Sequence, residues 1–315
     1  MKAFKRKRRK IKIGKAGRNF IIMICCLICA FVLTVIIGNK LGKKADIINS
    51  DTSVDTAIEQ NSEDAIHAFN PSVVSVNARF FNIENMTTNQ IPTQISLQIS
   101  KNVTTVSINV LDGEGNPNYD SAVAKAFYGV EGCNAYLELG TLISQFNGRG
   151  ISVCFCFCFT AYSIEDKNTR QAKAAYELAL LEEVAEKGAG EVLISGFSVT
   201  DEDSLNQYVS MVNQLQINYP ETFFGVSFDY TYYINNTIAP ILYAFSAVAD
   251  FSAVDVTQLD DEIMTFEQFI EQNRYYINRY NLRILLTYKD EATLSDYLAK
   301  MSEREMHNWQ IALCE

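Results

Sequence analysis

The chain has 315 residues, 27 of them Lys or Arg and 37 Asp or Glu, and is 48% hydrophobic, enough to bury a sizeable core. The formal net charge of −10 hides a division: thirteen basic and no acidic residues precede Ala45, while fourteen basic residues and all 37 acids follow, a net of −23. A domain this acidic repels nucleic acid and anionic wall polymers, and its two distant histidines, His67 and His307, argue against a histidine metal site or a Ser-His-Asp triad.

Residues 1–19 are a basic tail, with ten Lys and Arg between Lys2 and Arg18. Phe20 to Gly38 then runs nineteen residues without a charge. As a helix this stretch would span about 28 Å, close to the hydrocarbon thickness of a bilayer. The excess of positive charge before it assigns that side to the cytoplasm. The stretch is long for a cleaved signal peptide and lacks a small-x-small cleavage site at its end. An uncleaved anchor is expected, placing the chain in the cell membrane with one pass and an extracytoplasmic C-terminal domain. The lipid bilayer is then a partner, and the KRKRRK run at Lys5–Lys10 sets topology and meets anionic headgroups. Residues 39–70 are polar and read as a stalk, in which Val54, Ala57, Ile58, Ala65 and Ile66 fit one amphipathic helix over Ser53–His67.

From residue 71 to 315, short runs rich in Val, Ile and Phe alternate with helical patterns. The strands are expected at Val73–Phe81, Val103–Asp112, Ile151–Phe159, Glu191–Phe197, Phe223–Asp229, Phe251–Thr257, Leu282–Tyr288 and Trp309–Cys314. The helices are clearest at Arg170–Lys187, Asp203–Leu215, Asn236–Ala249, Phe266–Tyr280 and Ala292–Met301. Near-continuous apolar strands separated by amphipathic helices indicate a parallel sheet covered by helices. Eight repeats predict an α/β fold of the (β/α)8 TIM-barrel type, with an open doubly wound sheet as the alternative. Asn82–Lys101 lacks a good helix in this reading, and ISLQIS within it alternates like a strand. The chain ends at Glu315 directly after the eighth strand, so the stalk helix is expected to take the place of an eighth helix.

Five of the eight cysteines lie beyond the anchor, an odd number that does not make a disulfide framework. In Cys154-Phe155-Cys156-Phe157-Cys158-Phe159 the period of two puts thiols on one strand face and rings on the other. Same-face sulfurs on a straight strand do not converge as zinc ligands must, so these cysteines are expected to fill a narrow barrel interior, with no metal. No GxGxxG or GxxxxGK[ST] loop is present, and no cofactor is expected.

In such a barrel the active site lies at the C-terminal strand ends. The candidates for catalysis there are Asp112, Glu114 and Asp229, and those for substrate binding are Tyr230, Tyr232 and Asp255. Lys289-Asp290-Glu291 and Glu315 also end strands. Paired carboxylates can serve glycoside hydrolysis as acid and as base or nucleophile, and tyrosines can stack on a sugar face. The competing reading of each acid is structural, since strand-end acids also cap helices and close turns.

Ser107–Ser121, SINVLDGEGNPNYDS, and Tyr176–Phe197, which contains YELALLEEVAEKG followed by the strand ending in GF, resemble two segments of a bacterial family of glycosyl hydrolase barrels. They fall in the right order and on the right strands, over about an eighth of the chain. The resemblance implies a TIM barrel and a sugar-processing ancestry. Asp112, Glu114 and Glu191 match the family pattern, with Glu191 at the start of its strand, away from the rim. Asn109 stands where the family has Asp, Leu111 where it has Lys, Ser195 where it has Asp, and Gly196 where it has Tyr. With those carboxylates missing, the favoured reading is a degenerate glycosidase-like barrel that binds cell-envelope polysaccharide or a protein partner. An active glycoside hydrolase using strand-end carboxylates and a structural surface protein are the alternatives.

Overall fold

The computed structural model describes residues 77–129, 133–161, 164–259, 264–288, 291–306 and 308–314. The basic tail, the anchor segment, the stalk with its helix, both histidines, Lys289, Asp290 and Glu315 lie outside these residues. Among the described residues no helix is long and apolar enough to cross a membrane.

The elements in chain order are β1 (Asn77–Phe80), α1 (Ile91–Ser100), β2 (Thr105–Asn109), α2 (Ala122–Tyr128), α3 (Leu139–Asn147), β3 (Ser152–Cys158) and α4 (Lys167–Glu186). They continue as β4 (Glu191–Ser195), α5 (Glu202–Asn218), β5 (Phe223–Asp229), α6 (Tyr230–Ile234), α7 (Ile238–Phe245) and β6 (Phe251–Asp255). Then come α8 (Phe266–Gln272), α9 (Arg274–Arg279), β7 (Arg283–Tyr288), α10 (Glu291–Ser302) and β8 (Trp309–Cys314). All eight expected strands form. Each pairs in parallel with its sequence neighbour, and β1 pairs with β8 through Asn77↔Trp309 and Ala78↔Gln310, closing the barrel. An open doubly wound sheet is thereby excluded.

The period-two pattern of the strands separates two cores. Phe155, Phe157 and Phe159 pack outward with the helix-facing residues, whereas Cys154 clusters inside the barrel with Leu193, Phe251, Ala253 and Leu285, and Cys156 packs against them. The interior is tight at Gly225, where a Cβ would lie 2.2 Å from the Phe251 ring. Outside it, Phe197 packs on Phe228 at 5.5 Å, on Phe245 at 5.4 Å and edge-on against Tyr208 at 4.7 Å.

Two helices differ from expectation. Residues 91–100 are a helix, contrary to the strand-like reading of ISLQIS. Ile91, Ile95 and Gln98 are its buried face, at spacings of four and three, and Pro92 sits in its first turn where a missing N–H is tolerated. The single helix expected over Phe266–Tyr280 is two, α8 and α9, meeting at Asn273, whose buried side chain donates to the Phe269 carbonyl oxygen at 3.0 Å. That local bond competes with regular helix geometry.

Candidate active site at the barrel mouth

The C-terminal ends of the strands surround a cavity of about 590 Å³, within the usual range for small-molecule sites. Its apolar wall is Leu111, Leu193 and Leu285; its polar groups include Asn109, Ser195, Thr257, Gln258 and Thr287. Asp112, Glu114 and Asp255 line it together, as expected for strand-end acids.

Asp112 opens a tight turn. Its Oδ1 accepts from the backbone N–H groups of Glu114 and Asn116, both at 2.8 Å, and Oδ2 accepts from the Asn116 amide at 3.2 Å. Gly115 completes the turn at φ +86°, a conformation that L side chains rarely adopt. Partial burial raises the Asp112 pKa, but the bonds from Asn116, Glu114 and Gly115 outweigh it and the net shift is downward. Glu114 is exposed at the turn tip. Asp255 ends β6, and its Oδ1 accepts from Thr257 N–H at 2.9 Å and from the Thr257 hydroxyl at 2.6 Å. Burial, with a smaller contribution from the neighbouring Asp229 charge, raises its pKa above the ordinary carboxylate value.

Asp229 stands beside Asp255 in the β5–β6 register but is not among the cavity-lining residues. It is the N-cap of α6, accepting from Thr231 N–H at 2.8 Å. Tyr230 is buried in the outer core. The Tyr232 hydroxyl donates to the Phe197 carbonyl oxygen at 3.1 Å and accepts from Val199 N–H at 3.0 Å, tying α6 to the loop after β4. Neither tyrosine lines the cavity.

Two residues on α4 join the site without having been singled out in the sequence. Glu177 is 1% exposed and accepts from Thr160 N–H at 3.1 Å, the Thr160 hydroxyl at 2.7 Å and Ala161 N–H at 3.0 Å, which pins the loop after β3. Lys173, one turn earlier, has its Nζ 3.9 Å from Glu177 Oε1 and 5.2 Å from the centre of the Tyr176 ring. A Cβ at Gly115 would lie 3.2 Å from that Nζ, so the glycine turn and the lysine are matched in space. The signal was present in YELALLEEV: Glu177 occupies the same helical stripe as Leu180 and Val184.

Deeper in the barrel, Glu191 pairs with Arg283 at 2.5 Å, at the N-terminal ends of their strands and remote from the mouth, as the sequence implied. Ser195 lines the cavity and donates to the Phe157 carbonyl oxygen at 3.3 Å. Cys156 and Cys158 also line it, and Cys154 lies buried below them. Among the described residues no group of three or more His, Cys, Asp or Glu is arranged to hold a metal ion.

No protein-family model matches the chain, and no curated protein does. Among solved structures, the chain is similar to a noncanonic maltogenic alpha-amylase from Thermotoga neapolitana, with 7% identity, a TM-score of 0.47 and coverage of 76% of this chain and 68% of that one. It is similar to an HpcH/HpaI aldolase from Desulfitobacterium hafniense, with 11% identity, a TM-score of 0.42 and coverage of 81% and 90%. An alpha-L-fucosidase from Bacteroides thetaiotaomicron shows 12% identity, a TM-score of 0.44 and coverage of 73% and 56%. Likenesses this distant do not discriminate among activities.

Proposed function

We propose that this chain is a membrane-anchored, extracytoplasmic barrel whose mouth binds a polyhydroxylated ligand of the cell-envelope glycan class without hydrolysing it. The observation that carries the reading is the engagement of the strand-end acids. Asp112 is committed to its turn and Asp229 to the first turn of α6, so neither matches the pair of substrate-facing carboxylates that glycoside hydrolysis requires. The remaining lining suits sugar hydroxyls: Asn109, Gln258 and Lys173 offer donors, while the exposed Glu114 offers acceptors beside a leucine wall. The apolar segment 20–38 and the basic residues before it support the anchoring and its orientation.

A second reading, hydrolysis by strand-end carboxylates, draws on one observation: burial raises Asp255, the direction a general acid needs. Both readings meet one experiment. The full chain in detergent is titrated calorimetrically with soluble envelope-glycan fragments, and release of reducing ends is followed in the same samples, with Asp255→Asn and Glu114→Gln alongside. Heat of binding without release is expected. Release that disappears in either variant establishes the hydrolase instead, and the absence of both binding and release removes the glycan reading.

A further inference from the structure

Beneath the mouth cavity, five strands, β2, β3, β4, β7 and β8, contribute polar side chains to one buried network. Arg283 on β7 is 3% exposed, with its guanidinium 4.1 Å from the centre of the Phe251 ring. Its Nη1 donates to Glu191 Oε1 at 2.5 Å and to Gln310 Oε1 at 2.8 Å. This second bond fixes the orientation of the Gln310 amide: with its oxygen held by arginine, its nitrogen must point the other way. Gln310 Nε2 donates to the Ser107 hydroxyl oxygen at 2.8 Å and to Cys156 Sγ at 3.0 Å. Ser107 Oγ, which accepts from Gln310, lies 3.2 Å from Cys156 Sγ; either atom can donate in that contact while Cys156 is a thiol, and only the hydroxyl can once it is a thiolate. The thiolate form of Cys156 thus meets two donors, the Gln310 amide and the Ser107 hydroxyl. The neighbouring thiol has the opposite role, since Cys154 Sγ donates to Gln310 Oε1 at 3.6 Å.

We infer that Cys156 is a nucleophilic thiol at the floor of the mouth cavity, placed to add to the carbonyl carbon of an aldehyde such as the open-chain form of a reducing sugar. A sulfur that accepts two hydrogen bonds is stabilised as the thiolate, the reactive form. The shifts agree with the geometry. Hydrogen bonding from Cys154, whose one proton is then shared between Cys156 and Gln310 Oε1, outweighs burial and, with the bond from Ser107, lowers Cys156, whereas burial raises Cys154. Cys158, nearer the rim, is raised by burial and by the Glu177 and Asp255 carboxylates. In the addition, sulfur forms a bond to carbon, the carbonyl π pair moves to oxygen, and that oxygen takes up the proton the thiol has lost. The product is a thiohemiacetal and no oxidant or reductant is consumed. The nucleophile stands on this geometry alone, while the choice of a sugar aldehyde rests on the glycan reading.

The test treats the full chain in detergent with iodoacetamide across a pH series and follows each cysteine by peptide mass spectrometry. Sulfur displaces iodide, so the rate reports thiolate. Cys156 is expected to react about ten-fold faster than Cys158 at pH 7, with a lower midpoint, although Cys158 is the more exposed. Gln310→Leu removes one donor and Ser107→Ala, a smaller change, removes the other; each is expected to raise the Cys156 midpoint while the Cys158 profile, which reports an intact mouth, stays in place. Glycolaldehyde is expected to protect Cys156 reversibly. Reaction of Cys156 no faster than that of Cys158, or an unmoved midpoint in Ser107→Ala, overturns the nucleophile. Full reactivity in the presence of glycolaldehyde overturns the aldehyde assignment.

Discussion

Glu183 is where the architecture of the mouth is most open to a quantitative challenge. This carboxylate is 6% exposed on α4 and receives the Ser121 hydroxyl at 2.5 Å, Ala122 N–H at 2.7 Å and the Tyr119 hydroxyl at 3.1 Å. It thereby satisfies the start of α2 and ends the segment that begins with the Asp112 turn. Hydrogen bonds to a charged acceptor contribute about 1.5–3 kcal/mol each, and these three share one carboxylate, so their joint loss is less than the sum. Glu183→Ala also leaves the buried Tyr119 hydroxyl without its acceptor, giving an expected destabilisation of about 3–5 kcal/mol. For a domain of this size that corresponds to a fall in Tm of roughly 6–20 °C. The single tryptophan, Trp309 on β8, reports barrel unfolding by fluorescence during a thermal ramp of the full chain. Glu183→Gln keeps the volume and part of the acceptor capacity, and should lose about half as much. A Glu183→Ala melt within about 3 °C of the wild type would show that the network is not what holds this loop.

Three further outcomes are expected. Burial, with the Glu183 charge, raises Tyr119; burial alone raises Tyr233; and burial, then Tyr128, raises Tyr176 to about 12. Because these folded-state values exceed the unfolded value of 10.0, their contribution is complete below pH 10 and is lost as pH rises beyond it; the urea midpoint should fall as pH rises from 10.0 towards about 12, and an unchanged midpoint refutes this. Gly225→Ala forces a methyl group against the Phe251 ring and is expected to cost about 1–3 kcal/mol by urea unfolding; a neutral result would mean that the ring moves aside freely. Arg283→Met strands Glu191 and should cost about 3–5 kcal/mol, most of it recovered by adding Glu191→Leu; independent, additive losses would exclude a coupled pair.

The barrel was legible because its strands are buried on both faces and recur at near-regular intervals, a pattern that survives without knowledge of any contact. The helix at 91–100 was not, because ISLQIS carries two periods at once. Ile91 and Ile95 belong to the helical period and are buried, whereas Leu97 and Ile99, which completed the apparent alternation, are 47% and 43% exposed. With β1 already paired to β2 and β8, no sheet edge remains there for a further strand, and the helical face wins. The acids at the mouth show a different limit. Sequence places Asp112, Asp229 and Asp255 at strand ends but does not distinguish a substrate-facing carboxylate from one holding its own turn. That difference depends on which backbone N–H lies within about 3 Å.

The interior network was harder still to read. Arg283 opens RILLTY as an ordinary flanking charge, Glu191 opens EVLIS in the same way, and Gln310 follows the tryptophan of the last strand. Only closure of the sheet brings them together with Cys156 and Ser107. Each group then acquires meaning from its partner: the arginine orients the amide, and the amide directs a donor at the sulfur. A polar network buried in a barrel is stable only when its members are satisfied together. The polar residue types inside the strands, which weaken the signal for a hydrophobic core, are therefore the ones that connect the base of this barrel to its mouth.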